Sequence, residues 1–266
     1  MIEKTKLGIA FFDERFGGIF AGRATLCIGS RGSGKTIAAL QALLQGPQHN
    51  ERALMLSSWR AADLAIIASR MGLPLDSALQ AQQVMLLEYA HLTPASELEQ
   101  QHLLPAGSFL KFKQLVETHQ IRRVVIDTVL PWVAIRPVER LPIHIYSFIQ
   151  ALDRMGLTSI LTIPRPVSPA AHTLRNCLEE HIPIVLTLSR NSTGHYALEV
   201  NKYLGEPAQP RPIPFIIAPG AGILRAPKKV SRPPETSPES RPISLANPSE
   251  KPGRSGIHYS DAFRTR

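Results

Sequence analysis

Residues 29–36 read GSRGSGKT, between an apolar run, ATLCI (24–28), and a helix-like stretch, IAALQALLQ (37–45). Glycines at this spacing let successive backbone N–H groups turn inward, and the following helix aims its positive N-terminal end at the same point. The pattern is GxxxxGK[ST], a Walker A loop, so Gly29, Ser30, Arg31, Gly32, Ser33, Gly34, Lys35 and Thr36 are the candidate nucleotide-binding residues. In that role Lys35 neutralises the β- and γ-phosphates, and the Thr36 hydroxyl reaches a Mg²⁺ ion. Such a site also needs a carboxylate at the end of a buried strand, which RRVVIDT (122–128) supplies in Asp127. Alone, an Asp in that place is a turn or helix cap; beside the loop it reads as the Walker B residue, holding Mg²⁺ through water. The expected cofactors are ATP and Mg²⁺, although base contacts lie outside the motif and GTP fits equally well. Thr162, in the run SILTI, reads either as a γ-phosphate sensor or as an ordinary strand former.

These residues need a frame. Apolar, β-branched runs at 24–28, 53–57, 84–88, 123–128 and 159–163 alternate with helical patterns at 35–45, 61–71, 107–119 and 142–155. Gly46, Gly72 and Gly156 fall near three of the helix ends. That alternation predicts a parallel sheet with crossover helices. Farther on, 182–202 and 214–225 read as antiparallel strands joined by Asn- and Gly-containing turns, so the sheet ends in an antiparallel edge. From residue 227 Pro, Ser and Lys/Arg dominate, leaving too little apolar surface to offset the entropy of ordering. The expected domains are therefore 1–226, a nucleotide-binding core with no internal repeat, and 227–266, a disordered basic Pro/Ser-rich tail that acts as a solvated linker or meets an anionic partner.

Of the chain's net charge of +9, about half comes from that tail, which leaves the core ordinary in charge. Hydrophobic content of 44% supports a sizeable core, and 6% aromatic content argues against a base-stacking platform. Cys27 and Cys177 have no CxxC or His-rich neighbourhood and read as inert thiols in a reducing compartment. With no signal-like N-terminus and no stretch approaching 18 apolar residues, the expectation is a cytoplasmic protein without a membrane partner.

Taken in order, several segments resemble the KaiC-like and RadA-like ATPases of the RecA superfamily. GIAFFDERFGG followed by GRATLCIG (8–29) is similar to that family's G-x-x-x-L/F-D-x-x-x-G-G opening and its approach to the P-loop. ALMLSSWRAADLAIIASRMGL (53–73), VVIDTVLPWV (124–133), ALEVNKYLGEP (197–207) and PFIIAPGAGIL (214–224) look like its second strand and helix, Walker B strand, late strand and closing turn. The resemblance implies a RecA-like P-loop NTPase core of α/β class: a mostly parallel sheet with helices on both faces and antiparallel strands at the C-terminal edge. It also implies a homo-oligomer with the nucleotide between subunits.

Two departures bear on chemistry. Where the family carries an acidic residue after the second strand to orient the attacking water, this chain has Ser58 and Trp59, and the nearest carboxylate is Asp63, about a turn into the helix. Losing such a base costs about 10²- to 10⁴-fold in rate. Trp59 could pack at the rim or stack on adenine, and the sequence favours neither. In the family's K-x-R signature, where both cations reach a neighbour's γ-phosphate, Lys202 keeps the first place and Leu204 stands in the second. Lys202 is thus the candidate trans-acting residue, against the bland reading of a solvated edge-strand charge.

In RecA-type proteins the loops after two late core strands face DNA; here they are 134–142 and 164–175, which carry Arg136, Arg140, Arg165 and Arg175. These arginines are the candidate nucleic-acid contacts, although no aromatic is interleaved with them. Three expectations follow: a nucleotide-gated assembly protein with weak or absent hydrolysis, a DNA-dependent ATPase of the recombination-repair type, or an accessory subunit of a catalytic paralogue.

Overall fold

The computed structural model describes residues 3–88, 106–133, 138–207 and 211–227. Arg136 and the tail beyond residue 227 lie outside the described residues.

Among the described residues nine strands form one sheet, in the order β11-β10-β9-β8-β3-β7-β6-β4-β5. They are β3 (Ala24–Gly29), β4 (Arg52–Ser57), β5 (Val84–Glu88), β6 (Ile121–Asp127), β7 (Thr158–Pro164), β8 (Ile184–Arg190), β9 (Tyr196–Tyr203), β10 (Ile213–Ala218) and β11 (Gly222–Arg225). From β5 through to β8 every neighbouring pair is parallel, and β9, β10 and β11 continue antiparallel. A two-residue ribbon, β1 (Lys4–Thr5) with β2 (Ile19–Phe20), opens the chain. The mixed architecture and its antiparallel edge are those expected from the sequence.

Both faces of the sheet are buried, which is why its strands read as continuous apolar runs. Along β3, Ala24, Leu26 and Ile28 enter one core cluster with Phe112, Trp132 and Phe148, while Cys27 enters the other with Phe12, Leu40 and Leu43. The second cluster is built on α1 (Ala10–Phe16), α2 (Lys35–Gln48), α3 (Ala61–Arg70) and α4 (Leu75–Gln80). The first is built on α5 (Ala106–Thr118), α6 (Leu130–Val133), α7 (Leu141–Arg154) and α8 (Pro169–His181).

Two sequence expectations are corrected. Gly46 does not end α2; the helix runs through it to Gln48, and a Cβ there would sit 3.1 Å from the Ala53 Cβ, so the glycine lets α2 pack closely on β4. Gly72 and Gly156 do follow their helices with left-handed φ of 66°. The stretch 164–175 is not one loop, because its second half opens α8. Ser168 is the N-cap, its hydroxyl accepting from Ala171 N at 3.3 Å, and Pro169 occupies the first turn.

Because the parallel strands are in register, Gly29 pairs with Pro164 and Leu188, and Ser57 with Asp127 and Glu88. Strand C-termini from β8 to β5 therefore meet at one edge, where open α/β sheets bind their ligands.

Candidate functional site

The loop between β3 and α2 begins at Gly29, which has no room for a side chain: a Cβ would collide with the Ser33 hydroxyl and lie 2.6 Å from the Leu188 carbonyl oxygen. Gly32 and Gly34 adopt left-handed φ of 74° and 94°, and Ser33 N closes the turn on Ser30 O at 3.2 Å. This is the conformational freedom for which the motif needs glycine. Helix α2 begins at Lys35, immediately after the loop. Lys35 Nζ donates to Gly29 O at 2.8 Å and Ser30 O at 2.9 Å, so the cation is folded into the concavity of its own loop. Burial pulls its pKa below the usual lysine value, and the nearby Asp127 opposes the shift. The neighbouring Cys27 thiol is pushed up to about 12 by burial, which keeps it neutral and inert.

Asp127 ends β6 and is 5% exposed. Thr36 Oγ1 donates to its Oδ2 at 3.0 Å, and Thr162 Oγ1 donates to its Oδ1 at 2.5 Å. Three elements thus converge on one carboxylate, namely α2, β6 and β7. Thr162 is fully buried, and its bond to Asp127 fixes the orientation of that carboxylate. The donor set fits a hard cation such as Mg²⁺: a hydroxyl and a carboxylate oxygen already sit together beside the phosphate loop. Beside them, Arg165 N donates to Gly29 O at 3.1 Å, so the segment after β7 is tied to the first glycine of the loop.

The catalytic half is different. Ser58 N donates to Asp127 O at 3.2 Å, Trp59 N donates to Ser57 Oγ at 3.1 Å, and the Trp59 side chain is 46% exposed. Neither of the two residues that follow β4 carries a carboxylate. Asp63 lies in the first turn of α3. Glu88, which the sequence reading passed over, ends β5 in register with Ser57, but its Oε1 accepts from Ala61 N at 3.0 Å and caps α3. Only pairing register shows that Glu88 reaches this edge, and register is not visible in one strand's sequence.

Lys202, the expected trans-acting residue, is bonded within its own chain. Lys202 Nζ donates to Glu179 O at 2.6 Å and Glu180 O at 3.2 Å, capping the C-terminal end of α8 in the same chain. An ammonium is drawn there by the unpaired carbonyls and the negative end of the helix dipole. Of the candidate nucleic-acid contacts, Arg175 sits within α8, where its Nε meets Glu179 Oε1 at 2.6 Å, which corrects its placement in a loop. Arg140 ends a 3₁₀ turn, Val138–Arg140, and both it and Arg165 are exposed.

A sequence model described as "ATPase: KaiC" matches residues 5–229 of the chain. The chain belongs to the KaiC ATPase family. Among curated relatives, it is 26% identical over 197 residues to the circadian clock oscillator protein KaiC of Prochlorococcus marinus subsp. pastoris, covering 71% of this chain and 38% of that protein. The namesake of Parasynechococcus marenigrum is 24% identical over the same shares of the two chains. That of Prochlorococcus marinus strain SARG is 24% identical over 226 residues, 80% of this chain and 44% of the relative. The KaiC-family chain thus spans less than half the length of the relatives it matches. Among the described residues no helix is long and apolar enough to cross a membrane.

Proposed function

We propose that this KaiC-family chain binds Mg-ATP in the cytoplasm and uses occupancy of the site to control assembly with itself or a partner protein, with slow or absent hydrolysis. The supporting observation is the contrast between the two halves of the site. Its phosphate and metal half is complete, with Thr36 and Thr162 both bonded to Asp127, whereas Ser58 and Trp59 offer no base for water.

When a nucleotide arrives, Lys35 leaves the Gly29 and Ser30 carbonyls for the β- and γ-phosphates, and the backbone N–H groups of residues 30–35 enclose the phosphate chain. Thr36 and Asp127 would hold Mg²⁺, which would supply neutralisation of phosphate charge. Thr162 keeps the Asp127 carboxylate turned toward Thr36. Trp59, two residues past the end of β4, has no group that can take a proton from water, so ATP persists after binding.

Family membership supports the assembly part of this reading, in which the nucleotide sits between subunits of a homo-oligomer, or between this chain and a catalytic paralogue. Because Lys202 is engaged within its own subunit, a neighbour's nucleotide is held without that cation. A second reading, a DNA-dependent ATPase, has one observation in its favour, the bond from Arg165 N to Gly29 O, which ties an exposed arginine segment to the P-loop. On this reading residues 1–226 are the nucleotide-binding domain and the basic sequence 227–266 is its tail, and a compact unit that ends at Pro227 supports the division.

Phosphate release from Mg-ATP, with and without single-stranded DNA, tests both readings, with Lys35→Ala as the blank and light scattering following particle mass. The assembly reading expects release at the blank level and an ATP-dependent change in mass that Lys35→Ala removes. Release that rises with DNA establishes the motor reading instead, and unchanged mass overturns nucleotide-controlled assembly.

A further inference from the structure

The side of the P-loop facing the antiparallel edge carries a cation that the site described above does not use. Arg190 ends β8, and its NH1 lies 3.8 Å from where a Cβ on Gly32 would sit. Gly32 is the central, exposed glycine of the loop, with left-handed φ of 74°. The Arg190 guanidinium lies 5.6 Å from the centroid of the Tyr196 ring, and that ring stacks on the buried Phe215 at 5.3 Å. Among the described residues Arg190 makes no ion pair and is left exposed.

The hairpin carrying this arginine is closely fixed. Asn191 N donates to His195 O at 3.0 Å, Gly194 N donates to Asn191 O at 3.0 Å, and Asn191 Oδ1 accepts from His195 N and from Thr193 Oγ1, each at 2.8 Å. Arg190 and Tyr196 are direct cross-strand partners flanking that turn. The base of the side chain is therefore set by the sheet, and its charged end rests on an aromatic face that costs it little hydration. An unpaired guanidinium held against a phosphate-binding loop has one obvious anionic complement, the phosphate chain that the loop encloses.

We infer that Arg190 is a phosphate ligand acting in cis: on nucleotide binding its guanidinium leaves the Tyr196 ring for the polyphosphate held by its own P-loop. The inference rests on the nucleotide-binding reading and adds to it a second cation, beside Lys35, supplied by the same subunit. It also gives the site a link to the antiparallel edge, since movement of Arg190 is felt by Tyr196 and, through it, by Phe215 on β10.

The test is calorimetric titration of Mg-ATP and Mg-ADP into the full chain, into Arg190→Ala and Arg190→Lys, and into Lys35→Ala as the control. Loss of one charge-assisted hydrogen bond predicts about tenfold weaker binding of both nucleotides by Arg190→Ala. Arg190→Lys, which keeps the charge, should regain most of it, and thermal unfolding without nucleotide should match wild type. Affinity of Arg190→Ala within about twofold of wild type, while Lys35→Ala loses binding, overturns the assignment and leaves the nucleotide reading standing. If Arg190→Lys binds as weakly as Arg190→Ala, charge is not what the residue supplies and the assignment also falls. Absence of binding by wild-type protein overturns both readings.

Discussion

Thr162→Val tests whether the carboxylate of the metal half is positioned by its neighbours. Valine matches threonine in shape and in strand preference, so the substitution removes one hydroxyl from a fully buried place and little else. It leaves Asp127 Oδ1, in a residue only 5% exposed, without the 2.5 Å bond it now accepts. A hydrogen bond to a charged group contributes about 1.5–3 kcal/mol. For a domain of this size that is a fall of about 3–12 °C in midpoint, at roughly 2–4 °C per kcal/mol. Thermal unfolding without nucleotide measures it, and the same substitution in an Asp127→Ala background isolates the pair. The expected result is a clear loss in the wild-type background and a much smaller one when Asp127 is absent. An equal loss in both backgrounds would refute the argument, because the cost would then come from packing around position 162. A second readout concerns the site: Thr162→Val should weaken the Mg²⁺-dependent part of ATP affinity more than the Mg²⁺-independent part.

Three further outcomes are expected. Lys202→Ala removes a cation from the C-terminal end of α8, so chemical denaturation should register a loss of about 0.3–1 kcal/mol while ATP affinity and ATP-dependent mass stay unchanged; a loss of affinity on assembly would restore the trans-acting role. Gly72→Ala forces a left-handed φ of 66° and brings a Cβ to 2.7 Å from the Gly220 carbonyl carbon, so urea unfolding should show a loss above about 1 kcal/mol. The pH dependence of ATP binding follows from Lys35. Its pKa in the free protein is below 10.5, so the ammonium that phosphate requires is lost at lower pH than for an ordinary lysine, and affinity should decline through that lower window as pH rises. A titration flat up to pH 10.5 contradicts it.

Much of this was legible before any coordinates, for physical reasons that differ by residue. The P-loop is local: its glycines, Lys35 and Thr36 are adjacent in sequence, and their conformations follow from their types. The buried parallel strands are equally plain, because both of their faces are covered and their residues are apolar without interruption. What depends on register was hidden. Glu88 beside Ser57, Thr162 beside Asp127 and Arg190 beside Gly32 are contacts between segments far apart in sequence, and no single segment encodes them. Helix α8 was missed for another reason. Its cap, Ser168, and first-turn Pro169 are ordinary start signals, but the preceding PRPV drew the whole stretch into a loop. Placing Arg175 correctly would have needed its i,i+4 partner Glu179 to be read as a helical pair.

The two halves of the site also differ in what they contribute to the fold, and this decides how their presence should be read. Asp127 joins α2, β6 and β7 through two hydroxyls in a nearly water-free place, so removing it would leave Thr36 and Thr162 without their shared acceptor. The loop glycines are likewise required by backbone geometry, Gly29 by contact with Leu188 and Ser33. Both features are therefore held in place by folding as well as by chemistry, and an intact Walker pair is not in itself evidence of turnover. The residues after β4 have no such second role. Trp59 is half exposed, and among the described residues its polar bond is made by its backbone N–H, which any side chain other than proline would preserve. A carboxylate can be exchanged for an indole there at little cost to stability, with the consequence confined to the water that attacks the γ-phosphate. On the proposed reading, it is Ser58 and Trp59, rather than Lys35 or Asp127, that set the rate of hydrolysis.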